Sequence, residues 1–586
     1  MENWVVYNKK ADFQRIGRKF GIDQVTARII RNRDITEEDE IRRFLYGNLS
    51  DLYDPHMLKD ADRLTAILTD KIRQKKSIRV IGDYDIDGVM STYILISALG
   101  RCGARADFQI PDRIIDGYGL NRNLIEKAAA DGVDTILTCD NGIAALEEIA
   151  LARELGMTVL VTDHHEIPFE ETAEGRKEKK SLADAVVNAH QKDCSYPNKD
   201  MCGAAVAWKI VCLLYEAMGI PSGESLAFLE NVAFATVGDI MSLKGENRIL
   251  VREGLKRIHH TENVGMRALI SQCKLDMDQV DAWHFGFVLG PCINATGRLD
   301  TANRAMELFL CKDPAQASLI AAELVALNDE RKELTRQGVE LARKLCESGD
   351  YGADAVLVLY LPQVHESIAG IIAGRIRELY YKPVFILTRG KEGVKGSGRS
   401  IETYSMYEEL CKCSQYLTRF GGHPMAAGLS LREEDVEPFR RAINACCSLT
   451  EEDLKPKVRI DVPMPVDYVT MDLVREFSLL EPFGKDNPRP LFADRSLKVL
   501  RMEVIGKNRN ATRFSLCSQN GCRIQAICFR DPEEVQQLLR ERFGEDQLQR
   551  AMRGADNSIT FSMTYQPKVN TFRQQESLQF EIQSIR

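Results

Sequence analysis

The 586-residue chain has no uncharged apolar run near the about 18 residues that a membrane span needs. Its apolar stretch after Met201 is broken by Lys209. The start, MENWVVYNKKADFQ, has no apolar segment of the kind that directs secretion, which predicts a cytoplasmic protein. Tandem repeats and low-complexity tracts are missing too. The absence of G-x-x-x-x-G-K-[ST] excludes an intrinsic P-loop motor, and the absence of G-x-S-x-G excludes a hydrolase nucleophile elbow. The 16 cysteines are scattered, which predicts reduced thiols rather than a disulfide scaffold. Cys517, Cys522 and Cys528 lack C-x-x-C spacing and a nearby histidine, so a zinc site is not expected there. Excess positive charge is also lacking: 78 Lys and Arg face 86 Asp and Glu, a net charge of −8. That balance argues against a protein that coats nucleic acid without specificity, although not against a local basic groove.

With 44% hydrophobic and 28% charged residues, the chain can fill several cores, and its length predicts three or four domains. Residues 1–60 alternate short helical patterns with Asn, Asp and Gly breaks and predict a small N-terminal cap. From residue 61 to 314, short apolar runs alternate with helical patterns: Ile78–Gly82, Val133–Cys139, Met157–Thr162 and Ala183–Asn188. Such alternation predicts βαβ units around a parallel sheet. Residues 315–349 carry a stretch without Gly or Pro up to Gln337, which predicts a long connecting helix. Strand–helix alternation then resumes over 350–454. From 455 to 586 the pattern turns to short strands, at Ser496–Ile505, Thr512–Cys517, Cys522–Phe529, Ile559–Tyr565 and Leu578–Ile582, with a helix at Glu533–Phe543. A small five-stranded β-barrel fits. The expected class is therefore α/β, with two α/β lobes joined by a long helix and a C-terminal barrel.

Three acidic clusters end consecutive predicted strands: GDYDIDG (Gly82–Gly88), CDNG (Cys139–Gly142) and TDHH (Thr162–His165). In open parallel sheets ligands bind at that edge, so these residues converge there. Asp83, Asp85 and Asp87 at alternate positions crowd negative charge onto one loop, which is unfavourable unless the carboxylates pair or hold a cation. Asp140, His164 and His165 make the set a mixed oxygen and imidazole one, and Asp239 follows the apolar helical stretch Val232–Gly238. That chemistry suits Mn²⁺ or Mg²⁺ better than structural zinc, and five or more ligands suffice for two ions. Any one cluster alone reads more readily as a turn; the three together favour a metal site. Gly396–Ser400 (GSGRS) offers backbone N–H groups, hydroxyls and a guanidinium for a phosphate, and His423 in FGGH can stand beside a ligand.

TDHH preceded by GDYDIDG and CDNG resembles the DHH phosphoesterase superfamily and, within it, the RecJ family of single-strand-specific exonucleases. The likeness continues through IPDRIIDGYGLN (110–121), Cys202–Ala207, TVGDIMSLKGENR (236–248), INATGRL (293–299), KGSGRSI (395–401), FGGHPMAAG (420–428) and LEPFGKDNPRPLF (480–492). It implies DHH and DHHA1-like lobes and an OB-fold as the C-terminal barrel. The implied activity is two-metal 5′→3′ hydrolysis of single-stranded DNA to nucleoside 5′-monophosphates, in recombination and repair. By motif position, Asp85, Asp87, Asp140, His164 and Asp239 are the implied metal ligands. The resemblance implies that Asp83 and His165 bind or orient metal or phosphate and that Asp163 supports them from behind. Arg113, Arg298, Ser397 and Arg399 are implied to grip the terminal phosphate and backbone, with Asn294 and His423 in support. The implied partners are single-stranded DNA, single-strand-binding protein and a RecQ-type helicase; a monomer is expected, without membrane association.

Two positions depart from the family pattern. Cys292 stands where an arginine is common, and Val364-His365-Glu366-Ser367 replaces Trp-His-Pro-Gly. The basic run Arg501, Lys507, Arg509, Arg513, Arg523 and Arg530, opposed only by Glu503 and containing Phe514 and Phe529, predicts a salt-sensitive contact with a single strand. A shorter-substrate DHH phosphodiesterase and a catalytically dead scaffold are the competing readings. Length and residues 480–492 count against the first, and the complete set of implied ligands counts against the second.

Overall fold

The computed structural model describes residues 2–112, 119–172, 175–348, 351–390, 393–572 and 575–586. The chain divides into two compact units: one holds Tyr53–Met241 and Glu253–Pro456, the other Glu2–Leu52, Ser242–Arg252 and Lys457–Arg586.

In the first unit, β1 (Ser77–Ile81), β2 (Arg105–Gln109), β3 (Thr135–Cys139), β4 (Thr158–Thr162) and β5 (Ala185–Val187) form an all-parallel sheet in the order β2-β1-β3-β4-β5. β1, β3 and β4 read SIRVI, TILTC and TVLVT and are almost wholly buried, as a parallel sheet covered on both faces requires. The connection from β1 to β2 runs to one side of β1 and the next returns to β3 on the other. The carboxyl ends of β1 and β3 therefore flank a topological switch point, where a crevice opens. α1 (Ile86–Arg101) starts from that crevice. α2 (Gly203–Ala217) and α3 (Leu229–Gly238) are buried over most of their length. α4 (Gly290–Leu299) follows a five-residue π-helical turn, Phe285–Leu289.

α5 (Pro314–Glu347) is a 34-residue helix, about 51 Å long at 1.5 Å per residue. Asp313 caps it, accepting from Ala315 N at 2.8 Å, and Pro314 takes the first helical position. Beyond it lie β6 (Leu357–Tyr360), α6 (Ala369–Tyr380), β7 (Val384–Gly390), β8 (Gly393–Arg399), β9 (Arg419–His423) and β10 (Ala426–Leu431). These strands form a mixed sheet in the order β9-β10-β8-β7-β6, in which β6 and β7 are parallel and the other pairs antiparallel.

In the second unit, β11 (Phe492–Ile505), β12 (Ala511–Cys517), β13 (Arg523–Cys528), β14 (Thr560–Phe572) and β15 (Gln575–Ile585) pair in the sequence β11-β12-β13-β15-β14. β14 also pairs with β11, so the sheet returns on itself as a ring. The expected helix is present at Pro532–Phe543, followed by an unexpected one at Glu545–Met552. Phe514 is not available for stacking on a nucleic acid, contrary to the sequence expectation. It is fully buried, edge-on to Phe561 at 5.5 Å, because its position on β12 points into the ring. Phe529 is 62% exposed.

The N-terminal segment packs into the second unit. Ile29, Ile30, Ile41, Phe44 and Leu45 join the same hydrophobic core as Phe477, Leu480 and Phe492, and the buried Arg33 Nη1 meets Asp461 Oδ1 at 2.6 Å. Helices this short bury too little surface to stand alone. Arg248 belongs to this unit as well. It is 1% exposed, and it donates to the carbonyls of Phe44 (2.8 Å), Leu480 (2.9 Å) and Leu479 (2.8 Å), with its guanidinium 3.9 Å from the Phe44 ring centre.

Candidate metal centre

The loop after β1 turns directly into α1, and its acids are tied to helix starts. Asp85 caps α1, its Oδ1 accepting from Asp87 N (2.9 Å) and Gly88 N (3.1 Å). Asp87, in the first turn of α1, reaches the start of α2: Oδ2 accepts from Gly203 N at 2.6 Å and Oδ1 from Ala204 N at 2.8 Å. Two helix N-termini thus offset part of the negative charge. Asp140 leaves β3 in the left-handed region (φ 59°), and Gly203 lies so close that a Cβ there would stand 2.7 Å from Asp140 Cβ. Only glycine lets α2 begin at this distance.

The histidines leave β4. His164 Nε2 is 3.0 Å from Asp140 Oδ1, 3.5 Å from Asp87 Oδ2 and 3.7 Å from Asp239 Oδ2, the last brought in by the end of α3. Asp163 organises the doublet: Oδ1 accepts from the N–H groups of His164 (2.7 Å) and His165 (3.1 Å) and meets His165 Nδ1 at 2.7 Å, while Oδ2 accepts from Ile143 N at 2.9 Å. His165 Nδ1 is 3.9 Å from Asp140 Oδ1. The result is three sets of donors, each within 4.8 Å: Asp140, His164 and His165; Asp87, His164 and Asp239; Asp83, Asp85 and Asp140. Asp140 and His164 are each shared by two sets, so the sets form one continuous cluster.

The electrostatics ask for cations. Burial raises the pKa of Asp83 to about 8, helped by the charge of Asp85. Burial and Asp87 raise Asp85, and burial with Asp87, Asp85, Asp83 and Asp239 raises Asp140 well above the carboxylate range. One oxygen of Asp83, Oδ1, is buried without a hydrogen-bond partner. Asp163 differs: burial works against its charge, but the His165 hydrogen bond and charge outweigh it and lower its pKa. Burial likewise opposes protonation of His165, yet Asp163, followed by Asp239 and Asp87, lifts it to about 9. Five acids and two histidines with a bare buried oxygen fit hard or borderline divalent cations, and the absence of thiolate donors among the three sets does not favour structural zinc.

The remaining expected residues fall in different places. Asn294, on α4, accepts from Ile86 N through Oδ1 at 2.9 Å and so steadies the start of α1. Arg298 Nη1 donates to Ser367 O at 2.7 Å, linking α4 to the second lobe. Ser397, on β8, lines a cavity of about 500 Å³ together with Tyr84, Glu366, Lys395, Arg419 and Phe420. Arg399 lies against the first turn of α6, where a Cβ on Gly370 would stand 2.9 Å from its Nη2. Burial, then Arg377, lowers its pKa. His423 is exposed at the end of β9 and is not part of that cavity lining. Arg113 lies outside the described residues. His365 caps a short turn through Ser367, with Nδ1 2.7 Å from Ser367 Oγ.

Sequence reasoning did not single out Tyr84, Glu366, Lys395 and Arg419 as cavity residues. Tyr84 was detectable from its place between Asp83 and Asp85, and Arg419 from its place just before FGGH. Glu366 and Lys395 lie in segments that stand out in the sequence, 364–367 and 395–401, but they meet across 3.1 Å only because the sheet brings β8 beside the turn at Glu366.

The chain is similar to known proteins along most of its length. The chain matches the DHH family, N-terminal domain over residues 77–236, the DHHA1 domain over 353–449 and the RecJ OB domain over 460–584. It is 33% identical over 503 residues to the single-stranded-DNA-specific exonuclease RecJ of Bacillus subtilis, covering 85% of this chain and 62% of that protein's length. The Escherichia coli protein of the same name is 32% identical over 502 residues, covering 82% of this chain and 84% of the relative. Among solved structures, RecJ of Thermus thermophilus in complex with Mn²⁺ superposes with a TM-score of 0.81 at 26% identity, covering 100% of this chain and 79% of that one.

Proposed function

Because the chain belongs to the RecJ family of single-stranded-DNA-specific exonucleases, we propose that it is a metal-dependent 5′→3′ exonuclease that releases nucleoside 5′-monophosphates from single-stranded DNA. The observation that carries this reading is the linked cluster of donor sets at the switch point of the parallel sheet. Asp85, Asp87, Asp140, His164 and Asp239 would hold two Mn²⁺ or Mg²⁺ ions, with Asp83 offering its unpartnered oxygen. When bound, such a pair activates water and neutralises charge on the oxygens of a phosphodiester.

The chain's own residues do the rest. Asp163 fixes His165 through Nδ1, so Nε2 is the nitrogen that presents a proton to a phosphate oxygen as charge builds there. Asn294 keeps the Asp85–Asp87 loop in register with α4. Ser397 and the cavity it lines receive the strand beyond the scissile bond, with Arg298, Arg399, Arg113 and His423 as its phosphate contacts. The domain division that goes with this is a cap over 1–60, catalysis over 61–314, a helix over 315–349, substrate binding over 350–454 and nucleic-acid binding over 455–586. Family membership alone supports a cytoplasmic monomer that works in recombination and repair with single-strand-binding protein and a RecQ-type helicase. No helix of the described residues is long and apolar enough to cross a membrane.

The test is a single-stranded oligonucleotide labelled at its 3′ end, incubated with Mn²⁺ and either wild type or Asp87→Ala. Shortening from the 5′ end by wild type alone is the expected result. An intact oligonucleotide in both reactions, with turnover of a dinucleotide instead, would move the reading to a small-phosphodiester hydrolase.

A further inference from the structure

Away from the carboxylates, two thiols face each other. Cys273, which closes the helix Val264–Gln272, has its Sγ 3.9 Å from that of Cys292 on α4. Cys292 is 1% exposed, whereas Cys273 is only half-buried and reaches solvent. The Cys292 thiol is 3.3 Å from Val288 O, within the π-helical turn that leads into α4. Asn328 Nδ2, on α5, approaches Cys292 Sγ at 3.4 Å.

The pair is chemically unequal. Contact with the Cys292 sulfur lowers the pKa of Cys273; burial opposes this, Lys332 assists it, and Asp329 opposes it more weakly. For Cys292, contact with Cys273 together with burial works in the opposite direction. The accessible sulfur is thus the one disposed to become thiolate, with a buried thiol in contact behind it. That is the arrangement of a sensing cysteine and its resolving partner.

We propose that Cys273 and Cys292 are a peroxide-sensitive dithiol that closes to a reversible disulfide. The oxidant is hydrogen peroxide. The Cys273 thiolate attacks one peroxide oxygen, the O–O bond breaks, and the departing hydroxide takes a proton to leave as water. Cys273 is now a sulfenic acid, its sulfur oxidised by two electrons and the peroxide reduced by the same two. The Cys292 sulfur then attacks the sulfenyl sulfur, its own proton leaving with the displaced hydroxide as a second water. Two thiols and one peroxide become one disulfide and two waters.

Closure has a mechanical consequence, because the sulfurs must approach from 3.9 Å to about 2.05 Å. Cys273 sits at a helix terminus and Cys292 directly after a π-turn, both places where a helix gives way more easily than at mid-length. Two residues along α4 from Cys292 is Asn294, bonded to Ile86 N. Further along are Gly297, where a Cβ would stand 2.4 Å from Tyr84 O, and Arg298, bonded to Ser367 O. A pull on α4 therefore reaches both the metal loop and the second lobe. This consequence rests on the exonuclease reading above; the disulfide itself does not.

The experiment takes the full chain, reduced and supplied with Mn²⁺, through a peroxide titration stopped with catalase. Peptide mass spectrometry without reductant is expected to show a Cys273–Cys292 cross-link two hydrogens lighter than the separate peptides, which dithiothreitol removes. Cys273→Ser abolishes it, and Cys292→Ser leaves Cys273 as a sulfenic acid that dimedone traps. Cleavage of the labelled oligonucleotide is expected to fall by on the order of tenfold to a hundredfold in the cross-linked form, the scale of a small misplacement of substrate-positioning groups, and to return with dithiothreitol. A Cys273 that stays reduced, or that passes to sulfinic acid without cross-linking, overturns the proposal. A cross-link with unchanged cleavage overturns its coupling to the site. Untreated protein that cuts no DNA is a failure of the exonuclease reading, while the mass measurement still decides the disulfide.

Discussion

Both units of the molecule bury charge, and they do so in opposite ways. In the second unit Arg33 is matched by Asp461, and Arg248 is surrounded by backbone carbonyls and the face of Phe44. The terminal nitrogens of both guanidinium groups meet acceptors, and removing any of these partners would leave a polar group stranded. In the first unit Asp83, Asp87 and Asp140 are buried within one cluster, the pKa values of Asp83 and Asp140 are pushed up, and one oxygen of Asp83 has no partner. A satisfied buried charge holds the fold together. An unsatisfied cluster of one sign is a cost to the fold, and it marks the place where a ligand of opposite charge completes the structure.

The largest effect that would sharpen this contrast is on activity. Asp140→Asn keeps a residue tolerant of the left-handed backbone but removes the charge shared by two donor sets. Cleavage should fall by more than about a thousandfold, as for other groups central to a reaction. The metal-free protein should at the same time be more stable at pH 8, since like charges have been thinned. Thermal unfolding in chelator checks this, and a fall in midpoint would erase the distinction between the two units.

Next is the second unit's counterpart. Arg248→Ala strands the backbone carbonyls of Phe44, Leu479, Leu480 and Pro482 that it binds, and the expected cost is about 3–5 kcal/mol, read from urea unfolding. Mn²⁺ binding to the surviving folded protein should be unchanged, because no donor set includes Arg248.

The pH dependence is smaller and follows from the raised carboxyls of the first unit. A carboxyl whose folded pKa lies above its unfolded value favours folding at low pH and loses that contribution as pH rises from the unfolded value of 3.8 towards the folded one, about 8 for Asp83. Metal-free protein should therefore lose stability across this window. Apparent Mn²⁺ affinity should rise through it, by roughly tenfold per pH unit for each proton displaced. Calorimetry in buffers of different ionisation heat counts those protons, and an affinity independent of pH would show that the carboxylates are already ionised.

The smallest expected change is electrostatic. Lys507 and Arg509 are exposed at the turn between β11 and β12. Replacing both with Ala should flatten the log–log salt dependence of single-strand binding by about 1.4, at about 0.7 per phosphate contact.

Much of this site was legible in the sequence because its parts are local. GDYDIDG, CDNG and TDHH each follow a run of buried β-branched residues, and a parallel sheet has only one edge at which such loops gather. The parts that could not be read depend on approach between distant segments. Asp87 accepts from Gly203 and Ala204, more than a hundred residues away, and Asn294 reaches Ile86 across two hundred. Phe514 misled because a basic neighbourhood in sequence says nothing about which way a strand residue points. The apolar stripes of the N-terminal helices do not name the core they join.

The chain by itself therefore determined the sheet, its active edge and the chemical type of ligand, because strand periodicity and loop composition are short-range properties of consecutive residues. Tertiary structure alone decided which donors share an ion-sized space, that Asp83 keeps a bare oxygen, that Arg248 and the first fifty residues belong with the ring of strands, and that Cys273 lies against Cys292. Those outcomes turn on distances of a few ångströms between segments far apart in the chain, and only close packing of the folded molecule sets them.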